Sequence, residues 1–192
     1  NIPEWFIESC KKISYLFPRA HAVAYVMMAF RIAWFKVYHP LAFYAAYFSI
    51  RAKAFDLRIM TGDLKTQMTE FNRIKALDRG ASPKDKDLMS ALEVSMEMYQ
   101  RGYRFVNVDI QHSEARRFSI KDGALLPPFL AIDSLGETVA DAIVAEREER
   151  PFTSLKDLQR RCKVSNTIID LMKELKCCGE LPEDEQMSLF GA

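Results

Sequence analysis

The stretch from Ala20 to Ile50 limits most strongly how this chain folds, because it is apolar almost without pause. Arg31, Lys36, His39 and Pro40 interrupt it, so no window of about 18 residues is free of charge. That argues against a membrane span and for two buried helices, Ala20 to Tyr38 and Pro40 to about Arg51, parted at His39-Pro40. Proline starts a helix readily but disfavours helical geometry in the residue before it. Helices that are apolar on almost every face need protein on almost every face. The remainder of a 192-residue chain is a short supply of it.

Charge and cysteine usage narrow the class further. With 49% hydrophobic and 28% charged residues, the chain reads as globular, not disordered or fibrous. Its net charge of +1 hides an asymmetry: through Met60 there are eight Lys/Arg against three Asp/Glu, whereas Glu180, Glu183, Asp184 and Glu185 make the end acidic. This distribution favours an anionic partner for the N-terminal part. Cys10, Cys162, Cys177 and Cys178 lack CxxC spacing and the histidines are scattered, which points to reduced thiols in a cytoplasmic protein and to no zinc site. No signal peptide is visible, and the start at Asn1 reads as a fragment of something longer.

Periodicity predicts a mainly α fold: a helical segment, then a small α+β region, then a flexible tail. A first helix is expected from Pro3 to about Tyr15, with Ile7, Cys10, Ile13 and Leu16 at helical spacing. An amphipathic helix is expected between Phe55 and Arg79, with Leu64, Met68, Phe71, Ile74 and Leu77 on one side. Gly80-Ala81-Ser82-Pro83 signals a turn, and a helix from Lys86 to Arg101 should stop at Gly102. Then the period changes. Phe105, Val106, Val108 and Ile110 alternate like a strand, and Arg117 to Leu126 reads as a hairpin around Asp122-Gly123. Helices resume at about Thr138 and run on to Cys178, while the tail from Gly179 carries Pro182 and the acidic run.

Two short segments carry chemistry. In Ile132-Asp133-Ser134-Leu135-Gly136-Glu137-Thr138, apolar residues flank a tight turn and a helix opens just after Gly136. Such a helix start presents unpaired N–H groups and a positive dipole end to an anion. This segment resembles the helix–hairpin–helix motif of non-specific DNA-binding proteins, in which the anion is a backbone phosphate. Ser134 stands where the motif's first glycine falls, and Glu137 weakens the local field. The resemblance implies that Ser134, Leu135, Gly136 and Thr138 contact DNA, the alternative being a purely structural helical turn. A poorer copy lies at Lys163-Val164-Ser165-Asn166-Thr167, where Ser165 or Asn166 would cap a helix through Lys176. Side by side, two copies would grip both strands of a duplex across the minor groove; a structural role for the second, which lacks the glycine, is equally open.

The second segment is the tail peptide Gln186-Met187-Ser188-Leu189-Phe190. An exposed Leu-Phe pair suits an anchor for a pocket, with a glutamine amide upstream to fix orientation. It resembles the sliding-clamp-binding peptide of bacterial replication proteins.

Together with Phe17-Pro18-Arg19-Ala20-His21-Ala22-Val23-Ala24-Tyr25, these features make the chain similar to the C-terminal part of the PolC-type bacterial DNA polymerase III α subunit. The resemblance implies that residues 1–102 are the C-terminal part of a fingers domain, 103–181 a duplex DNA-binding region and 182–192 the clamp-binding tail. It implies that Arg19 and His21 approach the triphosphate of the incoming dNTP and that Tyr25 packs near its base. A cation suits phosphate and residues four apart share a helix face, yet on chemistry alone His21 and Tyr25 read sooner as packed core residues. The family's catalytic aspartates and their Mg2+ lie in a palm domain upstream. Asp109, Asp122, Asp133 and Asp141 do not replace them, so the piece alone should be inactive and bind no cofactor. Expected partners are duplex DNA, the sliding clamp and the remainder of the polymerase, at replication forks in the cytoplasm, with no membrane. The competing readings are a free-standing helix–hairpin–helix DNA-binding or repair scaffold and, more remotely, an interfacial membrane helix from Ala20 to Ile50.

Overall fold

The computed structural model describes residues 2–13 and 19–184. The chain divides into two compact units, residues 1–40 and 41–192. In the first, helix α1 spans Glu4–Lys11 and ends in a turn at Lys12, several residues short of the expected Tyr15. Helix α2 spans Arg19–Tyr38, close to its expected bounds. None of its residues is buried, contrary to the expectation, and its apolar side chains point to every side. It is long and apolar enough to cross a membrane by length and composition.

The second unit opens with α3 (Pro40–Ile50), then α4 (Leu57–Met60), α5 (Leu64–Ala76) and α6 (Pro83–Gln100). Each cap is written in the local sequence. Asp56 and Asp63 accept N–H bonds from Ile59 and Thr66, and Ser82 with Asp85 closes a reciprocal capping box ahead of α6. Helix α6 ends as expected. Gly102 takes φ +87°, its N–H bonds to Tyr99 O at 2.9 Å, and Tyr103 N–H returns to Met98 O at 3.1 Å.

Helix α5 departs from its expected face. Gln67 and Ile74 are buried, whereas Met68 and Leu77 are exposed. Gln67 is tolerated inside because its amide is satisfied: Nε2 donates to Met60 O at 3.1 Å and Oε1 accepts from Ser95 Oγ at 2.7 Å. Around it Tyr44, Phe48, Met60, Ile74, Leu92, Met98, Phe105, Phe118 and Leu125 form one apolar cluster.

The hairpin forms where expected, with β1 (Ser119–Lys121) antiparallel to β2 (Ala124–Leu126). Asp122 and Gly123 both take positive φ, 50° and 75°, the backbone that a two-residue hairpin turn demands. The expected strand from Phe105 to Ile110 does not form; only Phe105 bridges Leu125. Side chains and the chain's far end take its backbone donors instead. Val108 N–H goes to Asn107 Oδ1, Asp109 N–H to Ser113 Oγ and Ile110 N–H to Cys177 O. The alternation of burial is real, but it serves a pinned loop.

A 3₁₀ turn at Phe129–Ala131 leads to α7 (Glu137–Glu149), α8 (Leu155–Cys162) and α9 (Asn166–Glu174). These helices surround a second cluster that includes Ile110, Phe129, Ile132, Leu135, Ile143, Leu158, Ile169, Met172 and Cys177. Helix α9 stops at Glu174, short of the expected Lys176. Lys176 turns left-handed at φ 55°, and Cys177 N–H closes back onto Met172 O at 2.9 Å.

Candidate nucleic-acid interface

The two candidate hairpins share one backbone. In the first, Ser134 is left-handed (φ 63°), Leu135 is buried, and Gly136 is the extended N-cap of α7 (φ −75°, ψ 155°). In the second, Lys163 is left-handed (φ 54°), Val164 is buried, and Ser165 is the extended N-cap of α9 (φ −70°, ψ 156°). The pattern is therefore a reversal, a buried apolar plug and a helix start, repeated about 29 residues on. The plug holds the turn to the core while the helix start stays exposed.

The expected role of glycine shifts. The residue that turns left-handed is Ser134, the place of the motif's first glycine, and not Gly136. A Cβ built on Gly136 meets nothing within 4 Å. Nothing inside the protein requires a glycine there, so the room that it leaves opens onto solvent. Gly136 also caps α7 without a side chain, whereas Ser165 Oγ accepts from Ile168 N–H at 3.3 Å. Ser165 is thus the cap, and Asn166 is the first helical residue, its Oδ1 taking a hydrogen bond from Gln159 Nε2 at 2.5 Å. Ser134, Gly136, Thr138, Lys163, Ser165, Asn166 and Thr167 are all exposed; Leu135 alone among the expected contacts is interior.

Charge around the first hairpin is arranged by a residue that the sequence reading missed. The Arg116 guanidinium donates to Glu137 Oε2 at 2.5 Å and to Asp141 Oδ1 at 3.0 Å. The acid that would weaken the α7 terminus is thereby paired, and Arg116 holds Asp141 below its ordinary pKa. The Arg116-Arg117 doublet beside a turn was the available signal.

Arg161 and Asp157, also unforeseen, fix the angle between α7 and α8. Arg161 Nε donates to Glu146 Oε2 at 3.0 Å, Nη1 to Arg150 O at 3.0 Å and to Asp157 Oδ2 at 3.3 Å, while Nη2 reaches Glu146 O. The same guanidinium lies 4.7 Å from the Phe152 ring centroid. Asp157 is buried and also accepts from Arg160 at 2.9 Å and from Thr153 N–H at 3.3 Å. Burial alone pushes its carboxyl up, but Arg160, Thr153 N–H and Arg161 outweigh that and leave it below the usual carboxylate range.

The other expected residues fall as follows. Arg19, His21 and Tyr25 share α2, with the His21 and Tyr25 rings 4.4 Å apart, and all three are exposed. Gln186, Met187, Ser188, Leu189 and Phe190 lie outside the described residues, as do Phe17 and Pro18. Asp109, Asp122, Asp133 and Asp141 do not gather: among the described residues no group of three or more His, Cys, Asp or Glu is placed to hold a metal ion.

Two matched hairpins on one three-helix core define a helix–hairpin–helix module, and residues 102–186 match the family described as "Helix-hairpin-helix motif". The similarity extends well beyond that module. Across 99% of its length the chain is 49% identical, over 190 residues, to "DNA polymerase III PolC-type" of Caldanaerobacter subterraneus subsp. tengcongensis. It is 48% identical over 193 residues to the protein of that name from Streptococcus pyogenes serotype M12, again across 99% of its length. The chain is a homologue of one segment of PolC-type DNA polymerase III; it spans only 14% and 13% of the length of these two relatives.

Proposed function

We propose that this chain is the part of a replicative DNA polymerase that holds duplex DNA and tethers the enzyme to its sliding clamp. The matched backbones at Ser134–Gly136 and Lys163–Ser165 carry the reading, because two exposed helix starts on one rigid core suit two phosphate runs of a duplex. Contact is through phosphates, so sequence does not matter. The Gln186-Met187-Ser188-Leu189-Phe190 peptide supplies the clamp anchor, and tethering makes rebinding intramolecular.

In the parent enzyme Arg19, His21 and Tyr25 face the incoming dNTP, and the remaining polymerase chain covers the apolar sides of α2. Support for this comes from the similarity to PolC-type relatives and from the absence of any buried residue in that helix. Phosphoryl transfer and its Mg2+ belong to palm aspartates outside this chain, which works in the cytoplasm at replication forks. The test is fluorescence anisotropy of the chain with labelled duplexes of unrelated sequence. Equal affinities that fall with salt are expected; absence of binding at low salt removes the DNA reading.

A further inference from the structure

Beside the second hairpin, α8 and α9 enclose a groove of about 290 Å³ lined by Lys156, Gln159, Asn166, Asp170, Lys173 and Glu183. Asn166, Asp170 and Lys173 lie along one face of α9, so the groove starts at the hairpin and runs away along the helix. The acidic leader of the tail lies across its far end. Leu155 N–H donates to Pro182 O at 2.9 Å, and Lys156 N–H to Glu183 O at 3.2 Å. Lys173 Nζ reaches Glu183 Oε1 at 2.7 Å, and Lys156 Nζ pairs with Asp184. Both lysines of the groove are thus already holding carboxylates.

We propose that this groove is a further phosphate-backbone contact of the DNA surface, and that residues 182–184 are a removable strap whose carboxylates stand in for phosphate. The inference rests on the DNA-binding reading above. Three observations carry it. The groove begins at Asn166, so a strand gripped by the second hairpin is led into it. Its formal charge changes sign with the strap: Lys156 and Lys173 outweigh Asp170 alone, but not Asp170 with Glu183 and Asp184. The ion pairs are weakly held, because Asp184 and Glu183 are 65% and 78% exposed. Exposed pairs contribute little and are screened by salt, so a polyanion displaces them. The strap runs into Gln186 two residues on, so a partner that pulls on the tail peptide frees the groove.

The test is duplex affinity of the full chain against salt, for wild type, E183Q/D184N, E183Q/D184N/K156Q/K173Q, and the control E148Q/E149Q, which removes the same charge from α7. E183Q/D184N is expected to bind about tenfold more tightly at 50 mM salt, with a log–log salt slope steeper by roughly 1.8, two phosphates' worth. Adding K156Q/K173Q should return both to wild-type values, and the control should change affinity less than twofold. An unchanged slope in E183Q/D184N overturns the strap while leaving the hairpins' DNA contact standing. An equal gain in the control reduces the effect to net charge and overturns it too. If no variant binds duplex at any salt, the DNA reading falls and the strap with it.

Discussion

Ser134 and Lys163 hold the same left-handed backbone, φ 63° and 54°, each two residues before the cap of a helix. Neither is glycine, so both carry a local cost of about 1–2 kcal/mol. Glycine removes that cost but returns part of it as chain entropy. S134G is therefore expected to stabilise the fold by about 0.5–1 kcal/mol in urea denaturation and to leave duplex affinity unchanged. K163G should stabilise to a similar degree yet weaken binding and flatten the salt slope by about 0.9, because a phosphate-contacting cation is lost. A K163G chain with unaltered slope would make the second hairpin purely structural.

Gly136 separates folding from binding. A side chain there meets nothing within 4 Å and the backbone is of a type any residue adopts. G136L should keep the wild-type Tm within about two degrees, a shift expected of a surface change. A Leu side chain would hold the α7 terminus away from a phosphate, and duplex affinity should fall by at least about tenfold, the loss of roughly one charge-assisted contact. Equal affinity in G136L would remove the first hairpin from the DNA surface.

Asp157 makes acid sensitivity predictable. Its folded carboxyl titrates below the unfolded value of about 3.9, so its contribution is complete above that pH. The contribution disappears as pH falls through the lower folded value. D157N should cost about 2–3 kcal/mol at pH 7, given the charged hydrogen bonds it breaks. The gap to wild type should close as pH drops below about 4, with both measured by urea denaturation. A gap independent of pH would mean that packing, and not the carboxylate, holds α7 to α8.

The tail peptide is tested by calorimetry against the purified clamp. L189A/F190A should abolish measurable heat, since the two apolar anchors carry most of the energy of such a peptide. Full-strength binding by this variant would end the tethering role.

Short-range chemistry was legible in the sequence, and long-range partnership was not. Asp122-Gly123 specified its hairpin turn and Gly102 the end of α6, because each is decided within a few residues. The segment from Phe105 to Ile110 alternates like a strand, but its fate depends on Ser113, Leu125 and Cys177, which no local window contains. Gln67 reads as a surface residue until Met60 and Ser95 are seen to satisfy it. In the candidate site, the hairpins were visible as a pattern. Their electrostatic setting was not: Arg116 and Glu137 lie 21 residues apart, and Lys156 and Asp184 28.

The docked strap has a mechanical consequence. While Pro182 and Glu183 are bonded to α8, the chain between Asp184, the last held among the described residues, and Gln186 reaches at most about 7 Å. On the proposed clamp-binding role of Gln186 to Phe190, the ring is then moored on a short leash. It would inherit a heading as well as a position from the helices proposed to face the duplex, and lifting the strap would let out slack.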